Sequence, residues 1–448
     1  MNKRLDAWDE GLRKALLLPA SGALRIACGV LTGLAFFALL ATRTLVQLSG
    51  ADFLTRAVTL IVLCAPLAAM LTLALRAAGE NCLGLLPVAA LCAVCAAAML
   101  LRLSFLERSS GDYDIYFADW LSRLGAGSFS EGMRQNIGEY NVLYQYILFL
   151  ISRLPVPPLY ALKAVSFAGD AALAGALARL CQREGRANLT AFCLALLLPS
   201  VALNGGMYTQ CDSLFAGCAL WGLAFALNGK PSRAAACYAL SLAFKLQAVF
   251  ALPIVAVLWA GKKLRLCDAL TFVGTLLLVT LPALLGGKGL LDIVRIYTAQ
   301  TGLYTGLTYS APSFFGLLNT AGLDVYAYGN FGMALAIGVC ALLVGVGVTR
   351  ARDLTAEETI RLAALIALFV VFFLPRMHER YFYLALVLSL ACAGNDRRLI
   401  PAAALLEAAS LACCWEMNLP LFVCSLLVLL AGVWLLACPA GKREDVSL

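Results

Sequence analysis

The sequence predicts an all-α polytopic membrane protein with about 13 to 14 transmembrane helices. Of its 448 residues, 62% are apolar and 13% are charged, whereas soluble domains are about half apolar and about a quarter charged. Apolar runs of roughly 18 to 22 residues recur along the chain, and each is long enough to cross a bilayer. The runs are continuous rather than alternating, which indicates helices, because a helix satisfies its own backbone hydrogen bonds in lipid.

Charge and cysteine usage exclude two other classes of function. The net charge of +8 does not indicate nucleic-acid binding, because Lys and Arg are scattered in short loops, where they mark membrane topology. Most of the 17 Cys residues lie within apolar runs. Cys92 and Cys95 form a C-x-x-C motif inside such a run, which we interpret as small apolar filling rather than as a metal or redox site.

The N-terminal third of the chain sets the predicted topology. Four basic residues between Lys3 and Lys14 place the N-terminus in the cytoplasm by the positive-inside rule. Three spans, at about 25–47, 57–76 and 83–103, then lead to a long outer loop at about 104–158. This loop carries an apolar segment after Tyr140 that is too short for a full span and is typical of an interfacial or re-entrant helix.

The remaining spans cross the membrane alternately and return the C-terminus to the cytoplasm. They are predicted at about 159–180, 188–206, 212–228, 266–285, 331–349, 361–374, 381–393, 399–417 and 419–438. Two short segments, about 233–244 and 246–260, meet near Lys245, and a second long outer loop covers 286–328. We divide the chain into an N-terminal segment with two extra helices (1–82), a central module (83–285) and a C-terminal part (286–448).

Every polar cluster of mixed chemistry falls on the predicted outer side, whereas the inner loops are short and basic. The clusters are 107–119, 207–212, Lys245, 297–313 and 375–381. A carboxylate, several cations, amides and aromatic rings on one side of a membrane favour a site for a phosphorylated lipid and a polyhydroxylated acceptor.

The first cluster contains Asp112 and Asp114 in the stretch SGDYDIYFADW. A D-x-D motif holds a metal and a nucleotide diphosphate in many soluble sugar transferases, but nucleotide sugars are cytoplasmic and this loop is predicted outside. A carboxylate shielded by the neighbouring aromatic rings could instead act as a general base toward an acceptor hydroxyl. A solvated acidic loop without function is the alternative.

The next two clusters are a polar turn and a lone lysine. The turn NGGMYTQCDS carries Tyr208, Gln210 and Asp212, and its alternative interpretation is an ordinary turn between helices. Lys245 is flanked by apolar residues, and a lysine within a membrane is functional by default. We interpret it as a partner for an anion, with Gln247 beside it; the alternative is a lysine that reaches the interface.

The stretch LPRMHERYFYL contains the single histidine of the chain, His378, between Arg376 and Arg380. The two arginines lie at a helix end that is predicted to face outward, contrary to the positive-inside rule. Binding of a phosphate would account for their position. The alternative is an internal cap in which Glu379 pairs with its neighbours.

These segments resemble the GT-C superfamily of integral-membrane glycosyltransferases, and in particular bacterial relatives of the dolichyl- or polyprenyl-phosphate-sugar-dependent glucosyl- and mannosyltransferases. The segments that carry the resemblance are GDYDIYFADW, EYNVLYQYILFLISRL, LPSVALNGGMYTQCDSLF, AFKLQAVFALP and MHERYFYLAL. The resemblance covers roughly 83 to 393. The sequence departs from the family where it has Asn141-Val142-Leu143 in place of Tyr-Pro-Pro, and Tyr208-Thr209-Gln210 in place of Trp-Gly-Gln.

The resemblance implies that the central module is catalytic and that the enzyme transfers a hexose, mannose or glucose, with inversion. The donor would be a polyprenyl-phosphate-linked sugar, and the acceptor a glycan, lipid or protein at the extracytoplasmic face of the cell membrane. Asp112 would be the general base, and Asp114 would orient it; the alternative exchanges their roles. Lys245, Arg376, His378 or Arg380 would stabilise the leaving phosphate. No cofactor is required by this scheme, and a divalent cation is compatible with it but not indicated.

The resemblance also implies a set of substrate contacts from the same motifs. We expect them from Tyr113, Tyr140, Asn141, Tyr208, Gln210, Asp212, Gln247 and Glu379.

The main rival function is a transporter or flippase of lipid-linked saccharides, which would need polar residues along several spans as far as the inner side. A non-catalytic scaffold would need neither Lys245 nor the His378 group, and a multi-pass acyltransferase would need a clear His-Asp pair.

Overall fold

The computed structural model describes residues 10–11, 13, 18–138, 140–299, 305–318, 320–414, 417 and 419–439. The structure is 77% helical, so the predicted all-α class is confirmed. The helices of the first half are Gly22–Gln47, Phe53–Glu80, Leu85–Leu103, a π-helix Tyr113–Phe117, Ala118–Ala126, Phe129–Arg134, Val142–Ile151, Pro158–Leu180, Leu189–Leu197, Pro199–Gly206 and Asp212–Leu227.

The second half adds shorter helices and one described pair of strands. Its elements are Pro231–Phe244, a 3-10 helix Leu246–Ala251, Ile254–Ala260, Asp268–Leu285, Leu290–Ala299, strand Thr308–Tyr309, a 3-10 helix Phe314–Leu317, Val325–Thr349, Ala356–Phe373, strand Met377–His378, a 3-10 helix Glu379–Phe382, Tyr383–Asn395, a 3-10 helix Arg397–Leu399, Ile400–Cys414 and Leu421–Ala437.

Six of the described helices are long and apolar enough to cross a membrane, which fits a multi-pass membrane protein. A bent pair, Leu189–Leu197 with Pro199–Gly206, makes a seventh if it counts as one span. The count is lower than the predicted 13 to 14 because many apolar runs fold as shorter helices. In the bent pair, Pro199 supplies no backbone N–H to continue the first helix, and the axis turns by 49°.

The chain packs as two units, each built from two stretches of sequence. The first unit comprises 1–128 and 147–214. At its centre lies the helix Pro158–Leu180, which contacts Phe53–Glu80 and Leu189–Leu197. Close contacts are possible because small residues line the interfaces: a Cβ on Gly205 would lie only 2.8 Å from Cβ of Ser166.

The second unit comprises 129–146 and 215–448. From Val325–Thr349 to Leu421–Ala437, each long helix packs on the next one along the chain. The helix Ala356–Phe373 begins with a capping box, in which Thr355 and Glu358 bond each other's backbone N–H groups. The predicted break at Lys245 is confirmed, since a helix ends at Phe244 and a 3-10 helix begins at Leu246.

The predicted second outer loop is more ordered than its polar sequence suggests. It contains the helix Leu290–Ala299 and the strand Thr308–Tyr309, which pairs in parallel with Met377–His378. Lys288 lies at the start of the loop and is buried; its Nζ donates to the carbonyl oxygens of Met133 at 3.1 Å and Gln135 at 2.8 Å. The three-part division into 1–82, 83–285 and 286–448 stays a prediction.

Candidate active site

Asp112 lies in the first unit, immediately before the π-helix Tyr113–Phe117, and is half-buried. Its Oδ2 accepts a hydrogen bond from Nε2 of Gln210 at 2.6 Å. Ser110 connects the same two segments, because its hydroxyl donates to the carbonyl oxygen of Tyr208 at 2.9 Å. The structure therefore brings together two motifs that are 98 residues apart in the sequence, as expected if both serve one site.

The two neighbours of Asp112 in the motif have different environments. Asp114 is exposed, and its Oδ2 accepts a hydrogen bond from the hydroxyl of Ser109 at 2.9 Å. Tyr113 is half-buried, and burial raises the pKa of its phenol. The phenol of Tyr113 is therefore neutral near pH 7 and keeps its hydrogen-bond donor.

The turn that contains Gln210 is fixed from within. Thr209 adopts a left-handed backbone with φ of +58°, and the N–H of Gln210 donates to the carbonyl oxygen of Asn204 at 3.0 Å. Asp212 is buried and accepts a hydrogen bond from Nδ2 of Asn204 at 2.9 Å. Tyr208 is half-buried. These contacts present the Gln210 amide to Asp112, while the substrate contacts expected of Tyr208 and Asp212 stay predictions.

In the second unit, Lys245 interrupts the helical chain with an extended backbone. It is 8% exposed, and its Nζ lies 5.5 Å from the ring centroid of Tyr140, in a cation–π contact. Asn141 donates from Nδ2 to the carbonyl oxygen of Leu242 at 2.5 Å. Tyr140 and Asn141, which sequence reasoning assigned to the substrate, thus lie against the lysine segment.

Oδ1 of Asn141 and Oε1 of Gln247 are buried amide oxygens of this unit without a hydrogen-bond partner among the described residues. A buried acceptor without a donor is destabilising by about 1–3 kcal/mol. Both oxygens are therefore suited to accept hydrogen bonds from hydroxyl groups of a ligand.

The segment of His378 is tied to the second outer loop. The backbone N–H of Arg376 donates to the carbonyl oxygen of Leu307 at 2.8 Å, and Arg376 has a left-handed φ of +65°. His378 stacks on Tyr309, with ring centroids 5.0 Å apart. The backbone N–H of Gly306 donates to the Tyr309 hydroxyl oxygen at 2.8 Å and holds the pKa of Tyr309 below its usual range.

Glu379 contacts both of its neighbours. Its carboxylate lies 3.2 Å from Nε of Arg380 and 3.9 Å from Nδ1 of His378. All three side chains are about one-fifth exposed. The internal pairing that the sequence left open as an alternative is therefore present.

A cavity of about 290 Å³ lies in the second unit and brings Gln247 and Arg376 to one surface. Its other walls are mostly apolar. The lining residues are Leu246, Gln247, Val249, Phe250, Val325, Tyr326, Gly329, Asn330, Met333, Leu374, Pro375, Arg376, Met377 and Tyr381. The cavity thus combines one cation and two amides with a surface for an apolar ligand.

Sequence reasoning did not single out three residues whose contacts the structure describes: Lys163, which donates to the carbonyl oxygens of Phe105 and Arg108, Lys288 and Tyr309. Lys163 could have been found by the argument that identified Lys245, because it also lies within an apolar run. Tyr309 could not, because its stacking on His378 depends on pairing between distant strands. Among the described residues, no group of three or more His, Cys, Asp or Glu side chains is placed to hold a metal ion; the expectation that no cofactor is required stays a prediction.

Comparison with known proteins adds one finding. Residues 141–261 match the family model described as alpha-(1->6)-mannopyranosyltransferase, N-terminal domain, of the MptA_B family. The matched segment contains Asn141, Gln210, Lys245 and Gln247 but not Asp112. A search of curated proteins gave no match. The family match supports a glycosyltransferase of mannose type and, together with the apolar helices, fits a GT-C membrane glycosyltransferase.

Proposed function

We propose that this chain is an inverting glycosyltransferase that moves a hexose, mannose by preference, from a polyprenyl-phosphate donor to an acceptor at the extracytoplasmic face. The observation that carries the proposal is the hydrogen bond between Gln210 and Asp112, in a chain whose segment 141–261 matches a mannosyltransferase family. The amide fixes one oxygen of a half-exposed carboxylate, which is the arrangement that a general base needs.

In the proposed reaction, the acceptor hydroxyl oxygen attacks the anomeric carbon of the donor sugar. Asp112 takes the hydroxyl proton as the new glycosidic bond forms. The bond between the anomeric carbon and the phosphate oxygen breaks, and polyprenyl phosphate leaves with the bonding electrons. A single displacement of this kind inverts the configuration at the anomeric carbon, and Gln210 keeps the Asp112 carboxylate oriented throughout.

The donor assignment is supported by the chemistry of the second unit. A polyprenyl phosphate is an amphiphile with one anionic head and an apolar chain, and the cavity lined by Arg376 and Gln247 is mostly apolar with one cation. Lys245 and His378 belong to the same unit as candidates for the phosphate. The unpartnered oxygens of Asn141 and Gln247 would accept hydrogen bonds from sugar hydroxyls.

The direct test is turnover by purified protein with synthetic polyprenyl-phosphate mannose, polyprenyl-phosphate glucose and, as a comparison, a nucleotide sugar. We expect acceptor-dependent release of polyprenyl phosphate from the lipid donors and no consumption of the nucleotide sugar. Transfer from the nucleotide sugar alone would overturn the donor assignment. Vectorial movement of intact lipid-linked saccharide without bond cleavage would favour the flippase.

The proposed side of the membrane can be tested by thiol labelling of intact cells. Asp119 is exposed near Asp112, so we expect an Asp119→Cys variant to react with a membrane-impermeant maleimide. Cys82 is exposed in a loop predicted to face the cytoplasm, and Cys267 is exposed at the predicted cytoplasmic start of the span 266–285, so both serve as internal controls. They should react only after permeabilisation; labelling in the opposite order would overturn the topology.

Replacement of Arg376 tests the proposed phosphate contact. We expect Arg376→Met to raise the KM for the lipid donor about 10- to 100-fold, because a hydrogen bond to a charged group contributes about 1.5–3 kcal/mol. The acceptor KM should change little. Steady-state kinetics with varied donor would measure this. The control is Arg295→Met, because Arg295 is an exposed arginine in the second predicted outer loop and lies 3.6 Å from Asp292. An unchanged donor KM would remove Arg376 from the donor site.

A further inference from the structure

Lys163 is a buried cation in the first unit that the proposed reaction does not use. It lies in Pro158–Leu180, one of the helices long and apolar enough to cross a membrane, and it is 0% exposed. Removing an ammonium group from water is strongly unfavourable unless hydrogen bonds replace its hydration. The hydrogen-bond acceptors of Lys163 therefore indicate its role.

Both described acceptors of Lys163 are backbone carbonyls in the segment that leads to Asp112. Its Nζ donates to the oxygen of Phe105 at 2.5 Å and to the oxygen of Arg108 at 2.5 Å. These residues form the turn that follows the helix Leu85–Leu103, where the N–H of Arg108 also bonds the oxygen of Phe105. Carbonyls at a helix end lack partners within the helix, and a lysine side chain is a suitable donor to them.

The helix Pro158–Leu180 also contacts the last turn of the helix Leu85–Leu103. Asp170 lies seven residues after Lys163, and positions seven apart share one face of a helix. Its Oδ2 accepts a hydrogen bond at 2.8 Å from Nε of Arg102, at the end of Leu85–Leu103. One face of Pro158–Leu180 thus supplies the Asp170 carboxylate to the end of Leu85–Leu103 and the Lys163 ammonium group to the turn that follows it.

Beyond Arg108 the segment is fixed on its other side. Ser110 donates to the oxygen of Tyr208, and Gln210 donates to Asp112. Asp112 is only four residues from the Arg108 carbonyl, so a shift of that carbonyl must be taken up by a very short stretch of backbone. A carboxylate misplaced by about 1 Å can lower a rate about 10²-fold.

We propose that Lys163 is a positioning residue for Asp112: its ammonium group fixes the Phe105–Arg108 turn and thereby the location of the base. The inference rests on the proposed role of Asp112. Lys163 has no role in proton transfer, and its contribution is geometric. An apolar residue of similar length would fill the same volume but leave the turn free to move.

The experiment compares Lys163→Met with Lys163→Arg in two independent measurements. The first is hydrogen exchange by mass spectrometry on the peptide 104–114, which reports the order of the turn without reference to activity. The second is steady-state kinetics with the lipid donor. The control is Arg43→Met, because Arg43 donates to the oxygen of Leu103 at 3.0 Å, at the same helix end but outside the turn.

We expect Lys163→Met to accelerate exchange in 104–114 and to lower kcat about 10- to 100-fold with little change in KM. Lys163→Arg should keep kcat within about threefold, because a guanidinium can donate to both carbonyls. Arg43→Met should leave kcat unchanged. Unaltered exchange in Lys163→Met, or faster exchange with an unaltered kcat, would overturn the proposal.

Failure of the proposed function would be seen separately. If Asp112→Asn retained full transfer, the base would be misassigned whatever the Lys163 variants did. If Asp112→Asn were inactive while Lys163→Met kept its kcat, the positioning role alone would be wrong.

Discussion

Asp112→Asn should lower transfer by about 10²- to 10⁴-fold, the usual contribution of a general base, while the protein remains in the membrane at normal abundance. Asparagine has nearly the same shape as aspartate, and its side-chain oxygen can still accept the hydrogen bond that Gln210 donates to Asp112 at 2.6 Å. The amide cannot take the proton of an acceptor hydroxyl. The loss should therefore appear in kcat, with donor KM nearly unchanged, in release of polyprenyl phosphate by purified enzyme.

Two neighbouring carboxylates provide matched controls for Asp112. Asp119→Asn removes an exposed charge that pairs with Arg123 at 3.0 Å and should leave the rate unchanged. Asp114→Asn should cause a smaller loss than Asp112→Asn, since Asp114 is exposed and bonds only locally to Ser109 in the described contacts. A larger loss in Asp114→Asn would exchange the two roles, and an active Asp112→Asn enzyme would exclude Asp112 as the base.

Asp170→Ala should have the largest effect on stability, a loss of about 3–5 kcal/mol. Arg102 and Asp170 are 0% and 1% exposed, and their contact is 2.8 Å. Arg102 also donates from Nη1 to the carbonyl oxygens of Ala98 and Leu196, both at 2.9 Å. Removing the carboxylate leaves a guanidinium buried without a counter-charge, which should be visible as a lower unfolding midpoint and faster proteolysis in detergent.

The control for this prediction is an exposed pair. Asp292→Ala removes a partner of Arg295, whose side chain is 73% exposed, and such pairs contribute about 0–1 kcal/mol. The double variant Arg102→Met with Asp170→Leu should recover much of the lost stability, because two apolar side chains need no counter-charge. A loss below about 1 kcal/mol in Asp170→Ala would show that water or relaxation solvates Arg102.

Helix positions were largely predictable, because the hydropathy of a continuous run of residues is a local property of the sequence. The span predicted at 159–180 is the helix Pro158–Leu180, and the break at Lys245 follows from placing a cation among apolar residues. The number of long spans was not predictable in the same way. Composition identifies apolar segments, but the bend of 49° at Pro199 depends on which backbone bonds the fold completes.

Candidate site residues were predictable one by one, but only some of their contacts were. Side-chain chemistry and the family resemblance together selected Asp112, Gln210 and Arg376. The structure adds that Gln210 bonds Asp112 and that Arg376 shares a cavity with Gln247. The pairing of Thr308 with Met377 joins segments far apart in the sequence. A two-residue strand has too weak a local pattern to be recognised, so its partner could not be inferred.

The contacts of Lys288 have a practical consequence for engineering the protein. The hydroxyl of Ser130 donates to the oxygen of Gly286 at 2.6 Å, and Lys288 binds the backbone at Met133 and Gln135. These hydrogen bonds join parts of two predicted exterior loops. An epitope tag inserted near 130 or 287 would therefore break the contacts between the two loops instead of only lengthening one of them. The exposed turn at Gly322, whose added Cβ would meet nothing within 4 Å, is the better insertion point for an affinity handle.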